Sequence, residues 1–179
     1  MTDTIIIAGF GGQGIITLGE IMAFIGMRAG KKVTHFPSYG AEMRGGTANC
    51  AVMISDEEIF SPVFTHPETA IVMNGPSFLR FGPMVQKNGY LLVDSSHISL
   101  ASGRADLKIV RVAVTDEAES LGNGKVANII MLGLWAKMMG RFGRELVRQS
   151  VADFFMRKKK TLVDLNVAAL ERGWSLAPG

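Results

Sequence analysis

"TIIIAGFGGQGIITLGEIMAFIGMRAG", Thr4 to Gly30, holds a β-branched run, a glycine cluster and a helical repeat, in that order. Ile5, Ile6 and Ile7 stop at Gly9, which reads as a buried strand entering a tight turn. Ile15, Leu18, Met22 and Ile25 then recur at helical spacing, and Gly30 stands where a helix commonly stops, so a helix is predicted over 15–29. Strand, glycine turn and helix together form the opening unit of an α/β fold.

Further along, a short strand is expected over 33–36. Apolar Ala48, Cys50, Val52 and Ile54 alternate with Asn49, Ala51, Met53 and Ser55, which makes 47–55 a sheet strand with Cys50 facing inward. "AIVMN" at 70–74 is another strand, turned by Gly75-Pro76-Ser77 into a short helix. Asn88-Gly89 turns into a strand over 90–93. "KIVRVAVT" at 108–115 is the next strand, and Thr115 before Asp116 and Glu117 resembles a helix start. Helices are predicted over 125–139, with Val126, Ile129, Ile130, Trp135 and Met138 on a broad apolar face, and over 144–157 and 162–172. Strands alternating with helices predict an α/β, Rossmann-like three-layer sandwich around a mostly parallel sheet, with 1–179 as one domain.

The composition is that of a globular protein: 47% hydrophobic and 20% charged residues, with 21 glycines against 6 prolines for turns and close backbone approaches. No amino-terminal basic cluster precedes a signal core, and no run approaches the ~20 apolar residues of a membrane span. A cytoplasmic protein without membrane insertion is expected. Cys50 is the single cysteine and the 3 histidines are scattered, so no disulfide, cluster or structural zinc is expected. The net charge is +3, and the run Arg157-Lys158-Lys159-Lys160 lacks interleaved aromatics. It reads as a solvated helix end, or else an anion or acidic-partner contact, and nucleic-acid binding is not expected.

Gly9, Gly11 and Gly14 fit G-x-G-x-x-G, the spacing that brings backbone amides to a pyrophosphate at a helix start. The acid that should follow the second strand to hold a ribose is missing, since that region reads "VTHFPSYG". His35 is a poor basic substitute for a 2′-phosphate and Arg44 comes late. Gln13 offers a carboxamide that can hydrogen-bond across a cleft or interface. The second informative stretch, "HFPSYGAEMRGG" at 35–46, combines Tyr39, Glu42, Met43, Arg44 and paired glycines between two strands. Arg44 can clamp a phosphate or carboxylate, while Gly45 and Gly46 allow close backbone approach. Both loops follow strands, so they are expected to share one rim. Cys50 reads as a buried strand residue, and Asn128 as a polar group bonding within the core or across an interface. His66 and His97 read as ordinary loop residues.

"GFGGQGI", "PSYGAEMRGGTANCAVMIS", "KNGYLLVDS", "KVANIIMLG" and "LNVAALERG" together resemble the gamma subunit of 2-oxoacid:ferredoxin oxidoreductases over nearly the whole chain. The sequence departs from the family pattern at Ala41, where proline is usual. The resemblance implies a multisubunit enzyme that converts a 2-oxoacid and coenzyme A into acyl-CoA and carbon dioxide while reducing ferredoxin. It places thiamine diphosphate, Mg and the iron–sulfur clusters in alpha, beta and ferredoxin-like delta subunits, with none bound by this chain alone and coenzyme A as a substrate. It marks Gly11, Gly12, Gln13 and Gly14 at one turn, and Ser38, Tyr39, Gly40, Glu42, Met43, Arg44, Gly45, Gly46 and Thr47 at the other, as interface or ligand-channel residues. No catalytic residue is assigned to this chain. The "GGTANC" stretch looks closer to 2-oxoglutarate or branched-chain members than to pyruvate members, with 2-oxoglutarate slightly favoured and indolepyruvate subunits also sharing the glycine turn. The alternatives are a free-standing nucleotide- or flavin-binding module and a purely structural assembly subunit.

Overall fold

The Ile5 to Ile7 run becomes the middle of β1 (Thr2–Phe10), the strand on which the sheet is organised. The computed structural model describes residues 1–38 and 47–178. The remaining strands are β2 (Lys32–Ser38), β3 (Thr47–Ser55), β4 (Thr69–Val72), β5 (Tyr90–Asp94) and β6 (Lys108–Val112), in the order β2-β3-β1-β4-β5-β6. β1, β4, β5 and β6 pair parallel, while β3 lies antiparallel between β1 and β2. β3 alone therefore opposes the common direction, and the mostly parallel sheet is as expected.

The helices are α1 (Ile15–Arg28), α2 (Gly75–Phe81), α3 (Val114–Ser120), α4 (Ala127–Met139), α5 (Arg144–Lys158) and α6 (Val163–Leu176). Alternation along the strands divides the apolar residues between two cores. Ile5, Ile7, Cys50, Val52, Ile71 and Leu92 face a thick layer that includes Leu18 and Met22 of α1, Ile130 and Trp135 of α4, and Leu170 of α6. Ala8, Ala70, Val72, Leu91 and Val93 face a thin layer of Phe78 and Phe81 from α2, with Val85 and Ile98. The connection after β1 thus packs on one face and the connection after β4 on the other, which makes the β1/β4 junction a topological switch point.

Several boundaries differ from the sequence reading for local reasons. β4 ends at Val72, because Asn74 leaves the sheet to cap α2, its Oδ1 accepting the Ser77 N–H at 2.8 Å. β6 ends at Val112, and α3 is already helical at Val114, so Thr115 is not its cap. The Thr115 hydroxyl instead donates to Asp94 Oδ2 at 2.6 Å. A 3-10 turn, Gly124–Val126, leads into α4, which has no exposed face over residues 127–136. α1, α3, α5 and a close crossing by α6 surround it. The basic run is exposed at the end of α5, as a solvated helix end would be, with the Arg157 guanidinium over Phe24 at 5.4 Å and Lys158 bonded to Glu20 at 2.7 Å.

At the far end of the sheet from the glycine turn, Arg141 ties the α4–α5 turn to Asp3 at 2.6 Å and to Glu68 at 3.2 Å. Burial pushes the Asp3 carboxyl up to about 6, the Arg141 guanidinium pulls it down, and the Glu68 carboxylate reinforces the rise. A carboxyl whose folded pKa exceeds its unfolded value of 3.8 binds more protons in the native state, so its contribution to stability is lost as pH rises through about 6. Asp3→Asn is therefore expected to flatten the fall in urea midpoint between pH 3.8 and about 6. An unchanged pH slope in that variant would contradict the assignment.

Candidate functional site

The glycine turn is built around one side chain. Gly12 (φ 97°) and Gly14 (φ 73°) take left-handed backbone, which suits glycine and lets the chain reverse into α1. Gln13 Oε1 accepts the Phe10 N–H at 2.6 Å, and its Nε2 donates to the Met73 carbonyl at 3.0 Å. The carboxamide thus bridges the ends of β1 and β4 across the switch point. A Cβ on Gly9 would lie 2.6 Å from Gln13 Oε1, so that glycine makes room for the glutamine. The protein's own amide stands across the crevice where a doubly wound sheet seats a dinucleotide pyrophosphate. This is the cross-cleft bond that Gln13 suggested, and it argues against a nucleotide seat at this turn.

Asn128 fixes the turn from the other side. Its Nδ2 donates to the Gly14 carbonyl at 3.0 Å, joining α4 to the start of α1. At the end of β5, Asp94 is fully buried, holding Thr115 with one carboxylate oxygen and the Ser96 N–H with the other. A cavity of about 140 Å³ opens beside Gln13, lined also by Met73, His97, Thr115 and Lys125.

The second loop's flanks meet the same rim. Thr47 pairs with Phe10, the last residue of β1, and Ser38 pairs with Asn49. Gly11, Gly12 and Ser38 are exposed, while Gln13, Gly14 and Thr47 are half-buried. Tyr39, Gly40, Glu42, Met43, Arg44, Gly45 and Gly46 lie outside the described residues. The sequence reading missed Met73, Asp94, Thr115 and Lys125 as rim residues and passed over His97 as ordinary loop. A usable signal was the polar residue that closes or follows the two middle parallel strands, Asn74 after β4 and Asp94 at the end of β5.

Among the described residues, no three His, Cys, Asp or Glu side chains gather in a metal-binding arrangement. Cys50 is fully buried, its thiol donating to the Ile15 carbonyl at 3.5 Å, and burial pushes its pKa up to about 12. Such a thiol is neither a nucleophile nor a cluster ligand. Iodoacetamide at neutral pH is expected to leave Cys50 unmodified in the folded chain and to label it fully in urea. Mass spectrometry showing native labelling would contradict its placement.

The geometry defines a doubly wound α/β fold whose glycine turn, at the carboxyl end of β1, is bridged to the end of β4 by its own glutamine. The chain belongs to the pyruvate ferredoxin/flavodoxin oxidoreductase family, which residues 4–176 match. It is 33% identical over 168 residues to the ketoisovalerate oxidoreductase subunit VorA of Methanothermobacter thermautotrophicus, covering 93% of this chain and 35% of that protein. It is 28% identical to the 2-oxoglutarate synthase subunit KorC of Methanocaldococcus jannaschii, over 99% of this chain and 95% of that one. Its fold matches the crystal structure of a keto/oxoacid ferredoxin oxidoreductase gamma subunit from Geobacter sulfurreducens with a TM-score of 0.84 and 26% identity, covering 98% of both chains. The chain spans about a third of the length of the ketoisovalerate relatives it matches.

Proposed function

We propose that the chain acts as the gamma subunit of a multisubunit 2-oxoacid:ferredoxin oxidoreductase, supporting coenzyme A-dependent oxidative decarboxylation of a 2-oxoacid to acyl-CoA and carbon dioxide. The observation that carries this reading is the end-to-end match to a solved gamma subunit, 98% of each chain. Relatives are named for ketoisovalerate, 2-oxoglutarate, indolepyruvate and pyruvate, and 2-oxoglutarate is the substrate to assay first. Thiamine diphosphate and Mg supply the decarboxylation chemistry and iron–sulfur clusters the electron path, all on alpha, beta and delta partners. This chain's share is to pack against the catalytic subunits and shape coenzyme A access at the rim formed by Gly11–Gly14 and the 38–47 loop.

Exposed rings support a packing role. Phe36 of β2 lies opposite Ala51, which lies opposite Ile6, and Phe10 lies opposite Thr47, so alternation puts these residues on one face of the sheet. Phe36 is 55% exposed and Phe10 is 44% exposed. Aromatic area left open beside a functional rim is characteristic of a surface that meets another protein.

Arg44→Ala in the assembled complex tests the channel role. Loss of one charge-assisted contact to phosphate corresponds to about 1.5–3 kcal/mol, so the coenzyme A KM is expected to rise roughly 10- to 100-fold with subunit composition unchanged. A complex that fails to assemble, or one that assembles with unaltered coenzyme A dependence, would instead make the loop a scaffold.

A further inference from the structure

The edge strand β2 is held to the main core by Val33, His35 and Pro37, which alternation turns toward α1 and which are all half-buried. Among the described residues, β3 is its only strand neighbour, so the other edge gives it no support. Gly19 and Gly26, two turns apart on α1, open the helix face that receives these side chains. A Cβ on Gly26 would lie 2.7 Å from Val33 Cγ1, and one on Gly19 would lie 2.8 Å from His35 Nε2 and 2.6 Å from Cys50 Sγ. The imidazole is thus wedged under α1, beside the buried Cys50 thiol.

His35 is the ionisable anchor of the three. Its Nε2 is buried and, among the described residues, has no hydrogen-bond partner. In the neutral ring one nitrogen is a bare acceptor, but the imidazolium carries an N–H on both, so Nε2 becomes a buried charged donor with nothing to receive it. The groups that face it do not make up the difference. From α1 the carboxylate is Glu20, which Lys158 of α5 already engages at 2.7 Å. From β3 there is the Cys50 thiol, neutral and donating to the Ile15 carbonyl. The other charges of α1 and β2 are the cations Arg28 and Lys32. Burial accordingly holds the His35 pKa below its ordinary 6.5, with Glu20 opposing.

We propose that β2 is a proton-sensitive edge: charging His35 expels its ring from beneath α1 and loosens the strand up to Ser38, where the 38–47 loop begins. The sign follows from linkage. The opened strand, with its histidine in water, binds the proton more readily than the closed one, so opening is favoured as pH falls below 6.5. A released histidine of pKa 6.5 is about nine-tenths charged near pH 5.5, which favours the open strand by up to about tenfold over its level near pH 7.5. Asp3, at the far end of β1, acts in the opposite sense and strengthens the fold on acidification. The device is independent of the coenzyme A reading, since no substrate takes part in it.

Amide exchange of the 179-residue chain, followed by NMR near pH 7.5 and near pH 5.5 and corrected for intrinsic rates, tests the assignment. The β2 amides bonded to β3 should lose protection several-fold, up to about tenfold, at the lower pH, while the amides of β4 and β5 keep theirs. The His35 ring resonances should titrate below 6.5. His35→Phe, a ring without a proton to gain, should keep β2 protection level across the same range. His35→Gln, smaller and equally non-ionisable, reads the same point if the phenyl ring disturbs the packing under Gly19. Protection in β2 that is unchanged at the lower pH, that falls equally in β4 and β5, or that still falls in both variants would overturn the proposal. So would a His35 that titrates at 6.5 or above, the sign of an imidazolium held in place by Glu20.

Discussion

Gly173→Ala is expected to leave the chain unfolded or barely folded. α4 and α6 cross backbone to backbone: a Cβ on Gly173 would lie 1.8 Å from the Ile130 carbonyl oxygen, and one on Gly133 would lie 2.1 Å from the Leu170 carbonyl oxygen. Both obstacles are main-chain atoms of helices, so no rotamer change relieves them. Alanine in place of a helical glycine gains up to about 1 kcal/mol in helix propensity, but overpacking costs about 1–3 kcal/mol even where side chains can yield. Here the helices must separate, which loosens Ile130, Leu170 and Trp135 in the main core. A net loss above about 3 kcal/mol is a large part of a domain's ~5–15 kcal/mol. Urea unfolding followed by circular dichroism reads the effect. Gly103→Ala, with open space around its Cβ position and no place in a helix or strand, is the control and should shift stability by no more than about 0.5 kcal/mol. A Gly173→Ala chain with an unchanged or raised midpoint would contradict the crossing.

Gly14→Ala is expected to be the most damaging change at the rim, and Asn128→Ala to relieve part of it. The substitution forces alanine to φ 73°, at roughly 1–2 kcal/mol, and puts its Cβ 2.3 Å from Asn128 Nδ2. Asn128 must move, the bond to the Gly14 carbonyl breaks, and the joint between α1 and α4 opens. Asn128→Ala alone costs that bond, about 0.5–1.5 kcal/mol. In the double variant the clash has no partner, so the combined loss should fall short of the sum of the single losses by about 1 kcal/mol or more, the sign of direct coupling. Additive losses in the same unfolding measurements would mean that Asn128 does not pack on the turn.

The sheet was legible because its strands announce themselves by residue type. Ile5 to Ile7 and the alternation from Ala48 to Ile54 leave little choice of face, and β3 (Thr47–Ser55) has the predicted bounds. Asn74 and Thr115 misled for a shared reason: each follows a β-like run, but its side chain is engaged in a cap or a bond to Asp94 that periodicity does not encode. The α4 pattern suggested one apolar face because hydrophobic spacing reports a helix's own stripe. It does not report that Gly133 and Gly173 admit a second helix to backbone contact. At the rim, the glycine spacing was visible, yet its meaning depended on the Gln13 bridge to Met73, 60 residues away. Long-range polar contacts of this kind, like the pairing of Asn128 with Gly14, arise from topology and leave only a lone polar residue as their trace.

The central claim is that this chain works as part of a 2-oxoacid oxidoreductase, and recovery of the tagged chain from its own cells tests it most directly. The recovered material is assayed for coenzyme A-dependent reduction of ferredoxin with 2-oxoglutarate, ketoisovalerate, pyruvate and indolepyruvate in turn. The account predicts co-purifying subunits that carry thiamine diphosphate and iron–sulfur clusters, and activity that requires both a 2-oxoacid and coenzyme A. Recovery of the chain alone, inactive with every 2-oxoacid and carrying a bound nucleotide or flavin, would contradict it.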